Sequence, residues 1–264
     1  MSRKAFSRLV LGVTAVCVLA PAALLLVWSV TGRWPWPRLT PETYSLRTLR
    51  ELLLGSGGFL PLLGSSIALA GATAALATAV ALLTARATAF YSFPGRGLAR
   101  FCGILPLLVP GTVLAMGLHL AFLRLGLADT VVGVLLVHLV SALPYCIAIL
   151  TDVTAAVGLA LEEQAAVLGA PPLTAFRWAT LPRLAPGILS SMSMAFTISY
   201  SQYFSTLLIG GGRVRTLALV LVPYIQSGDR PLAAAYAAVF TGSALLVFAL
   251  FEWAIRRMER RGAL

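Results

Sequence analysis

Charge is what this sequence has least of. Only 11% of its 264 residues are Asp, Glu, Lys or Arg, and just 9 are acidic. Soluble domains carry about 25% charged residues and about 45–50% apolar ones. Here 59% are apolar and the mean hydropathy is +0.91, more hydrocarbon than a globular chain of this length can hide, which excludes a water-soluble domain. Cysteine is scarce too. Cys17, Cys102 and Cys146 all stand inside apolar runs and form no C-x-x-C pair, so no metal or redox centre of that kind is expected. A G-x-x-x-x-G-K-S/T loop is missing, and with it the usual cradle for nucleotide phosphates. Neither a G-x-S-x-G elbow, an H-E-x-x-H pair nor paired aspartates occur, which removes the common routes to intramembrane hydrolysis. No cofactor or metal is therefore expected. The formal net charge of +11 is not interleaved with aromatics as on a nucleic-acid surface. Its Arg and Lys flank apolar runs, where they meet anionic headgroups of the lipid bilayer and set orientation.

What is present is a succession of apolar runs of membrane-crossing length, roughly 20 residues each. The pattern predicts an all-α, polytopic membrane protein of one domain with six transmembrane helices, at about 8–30, 63–85, 102–123, 131–150, 187–209 and 232–254. The first run, Leu9 to Val30, exceeds the about 7–15 residues of a cleavable signal and reads as an uncleaved anchor. Six spans put both termini on one side. Twelve Lys and Arg fall on that side against eight on the other, with the strongest cluster at Arg256, Arg257, Arg260 and Arg261. Positive residues favour the cytoplasm, so both termini are expected there. Trp34 and Trp36 suit an outer headgroup belt, and residues 43–54 are predicted to form a short outer helix with Leu46, Leu49, Leu53 and Leu54 on one face. In the second span Gly71, Ala75 and Ala79 recur every four residues, a spacing that lets helices approach closely. Pro106 and Pro110-Gly111 in the third span and Pro144 in the fourth predict kinked, interior helices.

The loop over 151–186 is polar and long. Glu162 and Glu163 open a helix, where the dipole favours anions; Gln164 and Ala165 continue it. Gly169 suits the left-handed conformation that ends a helix, and Pro171-Pro172 suit the start of the next. Leu173, Phe176 and Ala179 would form that second helix's apolar stripe, and Pro182 would stop it. Loops of this length are uncommon unless functional. The prediction is two short helices about a glycine bend, lying on the inner membrane surface as a handle for another protein.

This stretch resembles the EAA loop of ATP-binding-cassette importer permeases: E-A-A, three residues, Gly, nine residues, a branched apolar residue, any residue, then Leu-Pro. Glu163-Gln164-Ala165, Gly169, Ala179 and Leu181-Pro182 stand at those places, and Glu162, Leu168, Phe176 and Thr180 match common choices around them. Gln164 replaces an alanine, and Ala179 is smaller than the usual Ile or Val. The run P-L-L-V-P-G-T-V-L-A-M-G over 106–117 and the loop G-G-G-R-V-R-T-L also look like this family, so the resemblance covers roughly 60–250. It implies a non-catalytic transmembrane subunit in a bacterial inner membrane. The expected partners are two copies of an ATPase subunit, a second permease subunit (the same or similar) and a solute-binding protein outside. The ATPase-coupling residues it implies are Glu162, Glu163, Gln164, Ala165, Gly169, Phe176, Leu181 and Pro182. The fifth-span sequence S-Y-S-Q-Y-F-S-T-L-L-I-G-G-G looks most like the branch importing polyamines, ferric iron and thiamine.

Thr197, Ser201, Gln202 and Tyr203 in the fifth span are the candidate pathway-lining residues, since a buried amide in lipid demands a partner. His119 and His138 read as packing residues that hydrogen-bond neighbouring helices. The alternative function is a stand-alone secondary transporter or channel. Coupling carboxylates would be needed for it, and no Asp or Glu stands at mid-depth in the spans. An intramembrane enzyme is the third reading.

Overall fold

The computed structural model describes residues 3–35, 37–54 and 58–260. Trp36 and Arg261 lie outside the described residues, as do the side chains of Arg3 and Lys4. In chain order the elements are α1 (Arg3–Ser29), β1 (Thr31–Arg33), β2 (Thr43–Tyr44), α2 (Arg47–Leu54), α3 (Phe59–Phe90), α4 (Arg96–Leu108), α5 (Gly111–Leu125) and α6 (Val131–Val157). Then follow α7 (Ala160–Val167), α8 (Pro172–Ala175), a π-helical turn (Phe176–Thr180), α9 (Leu181–Tyr200), α10 (Phe204–Gly210), α11 (Leu217–Ser227) and α12 (Arg230–Arg260). Helices dominate because a backbone in hydrocarbon must satisfy its own N–H and C=O groups.

Among the described residues, four helices are long and apolar enough to cross a membrane: Ser7–Ser29, Phe59–Phe90, Val131–Val157 and Arg230–Met258. The α4–α5 pair makes a fifth if its halves count as one span, bent by 112°. Six spans are therefore not reached on length and apolarity. The region expected at 187–209 is divided, with α9 ending at Tyr200 and α10 beginning at Phe204. Its serines and threonines also dilute its apolar character. The α4–α5 bend has a local cause: Val109 precedes Pro110 and is extended at φ −100°, ψ 131°, the conformation a following proline imposes. Pro144 lies inside α6, which nevertheless runs unbroken for 27 residues.

The chain divides into two compact units. The larger comprises Ser65–Thr216 and Ala244–Leu264. Its centre is the packing of α6 on α9, where Ala142, Cys146, Leu150, Leu184, Ser191 and Ala195 are buried. A Cβ on Gly187 would stand 2.7 Å from Val153 Cγ1, so only glycine permits this approach. Thr78 and Ser191 share a buried hydroxyl hydrogen bond of 3.3 Å. The buried face of α3 is Ala70, Ala74, Ala77, Ala81 and Ala85, with Thr73 and Thr78. Gly71, Ala75 and Ala79, expected at a helix contact, lie beside that face, and Ala75 and Ala79 are exposed.

The smaller unit comprises Met1–Gly64 and Leu217–Ser243. Its strands pair antiparallel, Thr31 with Tyr44 and Arg33 with Thr43. The helix expected over 43–54 begins only at Arg47, as α2, because Thr43–Tyr44 pair as a strand. It buries Thr48 and Leu52, and of the leucines expected on one face Leu49 is half-buried while Leu46, Leu53 and Leu54 are exposed. Trp28 stacks on Trp34 at 4.6 Å, and Tyr224 on Tyr236 at 5.2 Å. Arg230 lies over Trp28 at 5.6 Å, while Asp229 accepts from the Leu232 amide.

Candidate docking segment and membrane break

The segment from Gly158 to Leu184 belongs to the larger unit. Gly158 at φ +69° ends α6, and α7 follows with Glu162 and Glu163 in its first turn. Gly169 adopts φ +84°. The Ala170 amide donates to the Ala165 carbonyl at 3.0 Å and the Gly169 amide to Ala166 at 2.9 Å. That paired closure is the Schellman end, which glycine serves because a left-handed residue with a Cβ is strained. Pro171 is extended and Pro172 opens α8, where its missing N–H costs nothing.

Beyond Ala175 the chain departs from expectation. Pro182 does not stop the second helix. The Leu181 amide reaches back to the Phe176 carbonyl, and α9 begins at Leu181 with Pro182 in its first turn. A proline cannot donate and crowds the preceding turn; one widened π turn absorbs that defect, so the helix passes through instead of ending. The segment is therefore the direct lead-in to α9.

The expected coupling residues divide by environment. Glu163 and Gln164 are exposed; Ala165, Leu181 and Pro182 are half-buried. Gly169 is exposed and meets nothing within 4 Å of a notional Cβ. Apolar side chains stand out in solvent around the bend: Val167 at 88% exposure and Leu168 at 87%, with Leu173 and Trp178 also exposed. Phe176, predicted beside Leu173, is half-buried instead. The Arg86 guanidinium lies 4.4 Å from its ring centroid.

Arg86 also forks onto Glu162, its two terminal nitrogens donating to Oε1 at 2.8 Å and Oε2 at 2.9 Å. Thr180 Oγ1 donates to Glu162 Oε1 at 2.7 Å. The Arg86 guanidinium hydrogen-bonded to Glu162 holds its carboxyl below the usual carboxylate range; partial burial opposes this and the Thr180 hydroxyl adds to it. Sequence reasoning overlooked Arg86, whose signal was present: it is the one charged residue in the 32 residues of α3. Nearby, Arg96 Nε and Arg100 both donate to the Thr88 carbonyl, at 3.0 and 2.8 Å, satisfying the C-terminal end of α3.

The candidate pathway residues surround the interruption between α9 and α10. Thr197 and Ser201 are exposed and donate to the Ser193 and Ile198 carbonyls. Gln202 accepts from Ser205 at 3.0 Å and lines a cavity of about 520 Å3 with Pro110, Gly111, Ser141 and Tyr145. Tyr203 is half-buried and precedes α10. Across the interruption stands His138, fully buried, with Nδ1 2.8 Å from Ser199 Oγ and Nε2 3.0 Å from Thr206 Oγ1. Thr206 gives its proton to the Gln202 carbonyl at 2.7 Å, so it accepts from His138. The network thus assigns the ring proton to Nε2, and Ser199 donates to Nδ1. Both nitrogens of His138 are thus hydrogen-bonded to groups beyond its own helix. His119 differs, since its buried Nδ1 has no partner among the described residues.

A family model described as "Binding-protein-dependent transport system inner membrane component" matches residues 77–262, well over half of the chain. The chain belongs to this family. Among its relatives, the sulfate transport system permease protein CysT of Salmonella typhimurium is 27% identical over 195 residues, 68% of this chain and 70% of that one. The molybdenum transport system permease protein ModB of Mycobacterium tuberculosis is 35% identical over 146 residues, 50% and 54% of the two chains. The putrescine transport system permease protein PotI of Escherichia coli K12 is 25% identical over 178 residues, 65% and 63%. The chain thus spans between about half and about two thirds of these relatives' lengths. As an inner membrane component of this family it is a multi-pass bacterial membrane protein, and its long apolar helices agree with that assignment.

Proposed function

We propose that the chain is the transmembrane permease subunit of an ATP-driven, binding-protein-dependent importer, and that 162–182 is where an ATPase subunit docks. The observation that carries this reading is the bend at Gly169. There a family member presents Val167, Leu168, Leu173 and Trp178 to solvent on a short, well-terminated helical pair outside any span. Exposed apolar patches of this kind mark interaction sites, and the segment leads straight into α9. A partner that binds this surface differently in two states would shift the spans between two arrangements.

The remaining parts of the reading follow from that. The chain forms one permease domain with six crossings, the bent α4–α5 pair and the α9–α10 pair each counting once, and both termini in the cytoplasm. It works with two copies of the ATPase, which carry out ATP hydrolysis, a second permease subunit and a solute-binding protein. The apolar helix Ser7–Ser29, exposed over most of its length, agrees with a further subunit or lipid against it. The 520 Å3 cavity beside Gln202 is the candidate solute path, with Thr197, Ser201 and Tyr203 near it. The named relatives serve sulfate, molybdenum and putrescine systems, so the binding protein is expected to choose the solute.

Co-expression with a candidate ATPase subunit tests the reading. Wild type should co-purify with it, and Leu168→Asp with Trp178→Asp should lose it while remaining in the membrane. Full retention by that double variant, or labelling of Ala166→Cys only from the outer face, overturns docking at this segment.

A further inference from the structure

A docking segment transmits motion only through what grips it, and covalently 151–186 joins only α6 and α9. Arg86 supplies a third attachment, from α3. Its side chain and that of Glu162 are 17% and 16% exposed, and Glu162 accepts from both Arg86 nitrogens and from Thr180. A carboxylate so engaged has little left to offer a partner protein, although it stands next to Glu163 in the docking helix. The contacts also bracket the π turn: Phe176, under the guanidinium, opens it, and Thr180, bonded to Glu162, closes it. A π turn is the weak point of a helix, where one extra residue is stored and the register can shift. Phe90 flanks the same guanidinium at 5.9 Å, so the cation is packed between rings as well as paired.

We infer that Arg86, through Glu162 and the two ends of the π turn, locks α7 and the start of α9 to α3, so that displacement of the docking segment moves three helices as one body. The inference rests on the docking role proposed above. Arg86 and Glu162 are positioning residues, not contacts with the ATPase. A planar guanidinium fork suits this task because it fixes orientation as well as distance.

The test uses the assembled importer, with its ATPase and second subunit, reconstituted in nanodiscs with its binding protein. Spin labels at Leu83→Cys on α3 and Ala160→Cys on α7 report their separation with and without trapped ATP. The expected wild-type result is an unchanged separation on trapping. In Arg86→Met the separation should change or broaden, and stimulation of ATP turnover by the binding protein should fall about tenfold, a usual size for coupling between sites. Co-purification of the ATPase should stay at the wild-type level. Arg86→Lys should recover only part of the stimulation. If Arg86→Met fails to insert, the exchanged pair Arg86→Glu with Glu162→Arg decides, restored stimulation supporting the lock and lost stimulation with normal docking overturning it. An unchanged separation with full stimulation in Arg86→Met also overturns it. Failure of the wild type to hold an ATPase would instead overturn the docking role.

Discussion

At the C-terminal end of α3, Arg86 and Glu162 join two elements with full charges; across the α9–α10 interruption, His138 joins two others with neutral hydrogen bonds. The difference follows depth. α3 has 32 residues, about 48 Å of helix against about 30 Å of hydrocarbon. Its end therefore emerges where water moderates the cost of desolvating charge, and a forked ion pair is stable there. Within the bilayer a charged side chain costs several kcal/mol, about 2.5–3.5 on insertion scales. There Ser199, His138, Thr206 and the Gln202 carbonyl form an uncharged relay that satisfies the freed groups of a broken helix. Both joints hold a helix irregularity in place, but with different sensitivities.

Breaking the charged joint should cost most. Arg86→Met strands a carboxylate that is only 16% exposed; unpaired buried charges cost about 3–5 kcal/mol, so about 2–3 kcal/mol is expected at this exposure. Glu162→Gln should cost less, because the amide still accepts a bond. Hydrogen exchange of the α7 amides measures both. His138→Phe should come next, at about 1–3 kcal/mol, since Ser199 loses its acceptor inside the bilayer. It should lower the thermal unfolding midpoint in detergent while leaving α7 exchange unchanged. If it alters α7 exchange instead, the two joints are not independent.

Gly169→Ala probes the geometry of the bend at which docking is proposed. No neighbour lies within 4 Å of the added methyl, so the whole effect is left-handed backbone strain, about 1–2 kcal/mol. Exchange at Ala170 and Gly169 should rise while ATPase co-purification falls modestly; Gly169→Asn should do less. Acid should have the smallest effect. The folded Glu162 carboxyl titrates below its ordinary value, about 4.3, because of Arg86. Its contribution is complete above that value and is lost as pH falls through the lower folded one. Trp178 fluorescence should report a step below the ordinary carboxylate range that Glu162→Gln abolishes.

Much of this was readable along the chain. The glycine bend, the proline start of α8 and the acidic first turn of α7 are local features, and each occurs where its residues demand. Gly71, Ala75 and Ala79 show where reading failed: nearly every residue from Ala68 to Ala81 is small, so one face cannot be told from its neighbour by size. Pro182 misled because its effect depends on the turn before it. Arg86 and Glu162 are 76 residues apart, and neither signals the other in sequence.

The sequence by itself determined that this chain lives in lipid as helices, and where the Gly169 bend falls, because hydropathy, glycine and proline act over a few residues. Only the tertiary structure decided which carboxylate of the Glu162-Glu163 pair turns inward, which face of α3 is buried and how the interrupted α9–α10 stretch is closed. Those outcomes depend on groups brought together across long stretches of chain, where distance and desolvation choose among partners that sequence leaves equivalent.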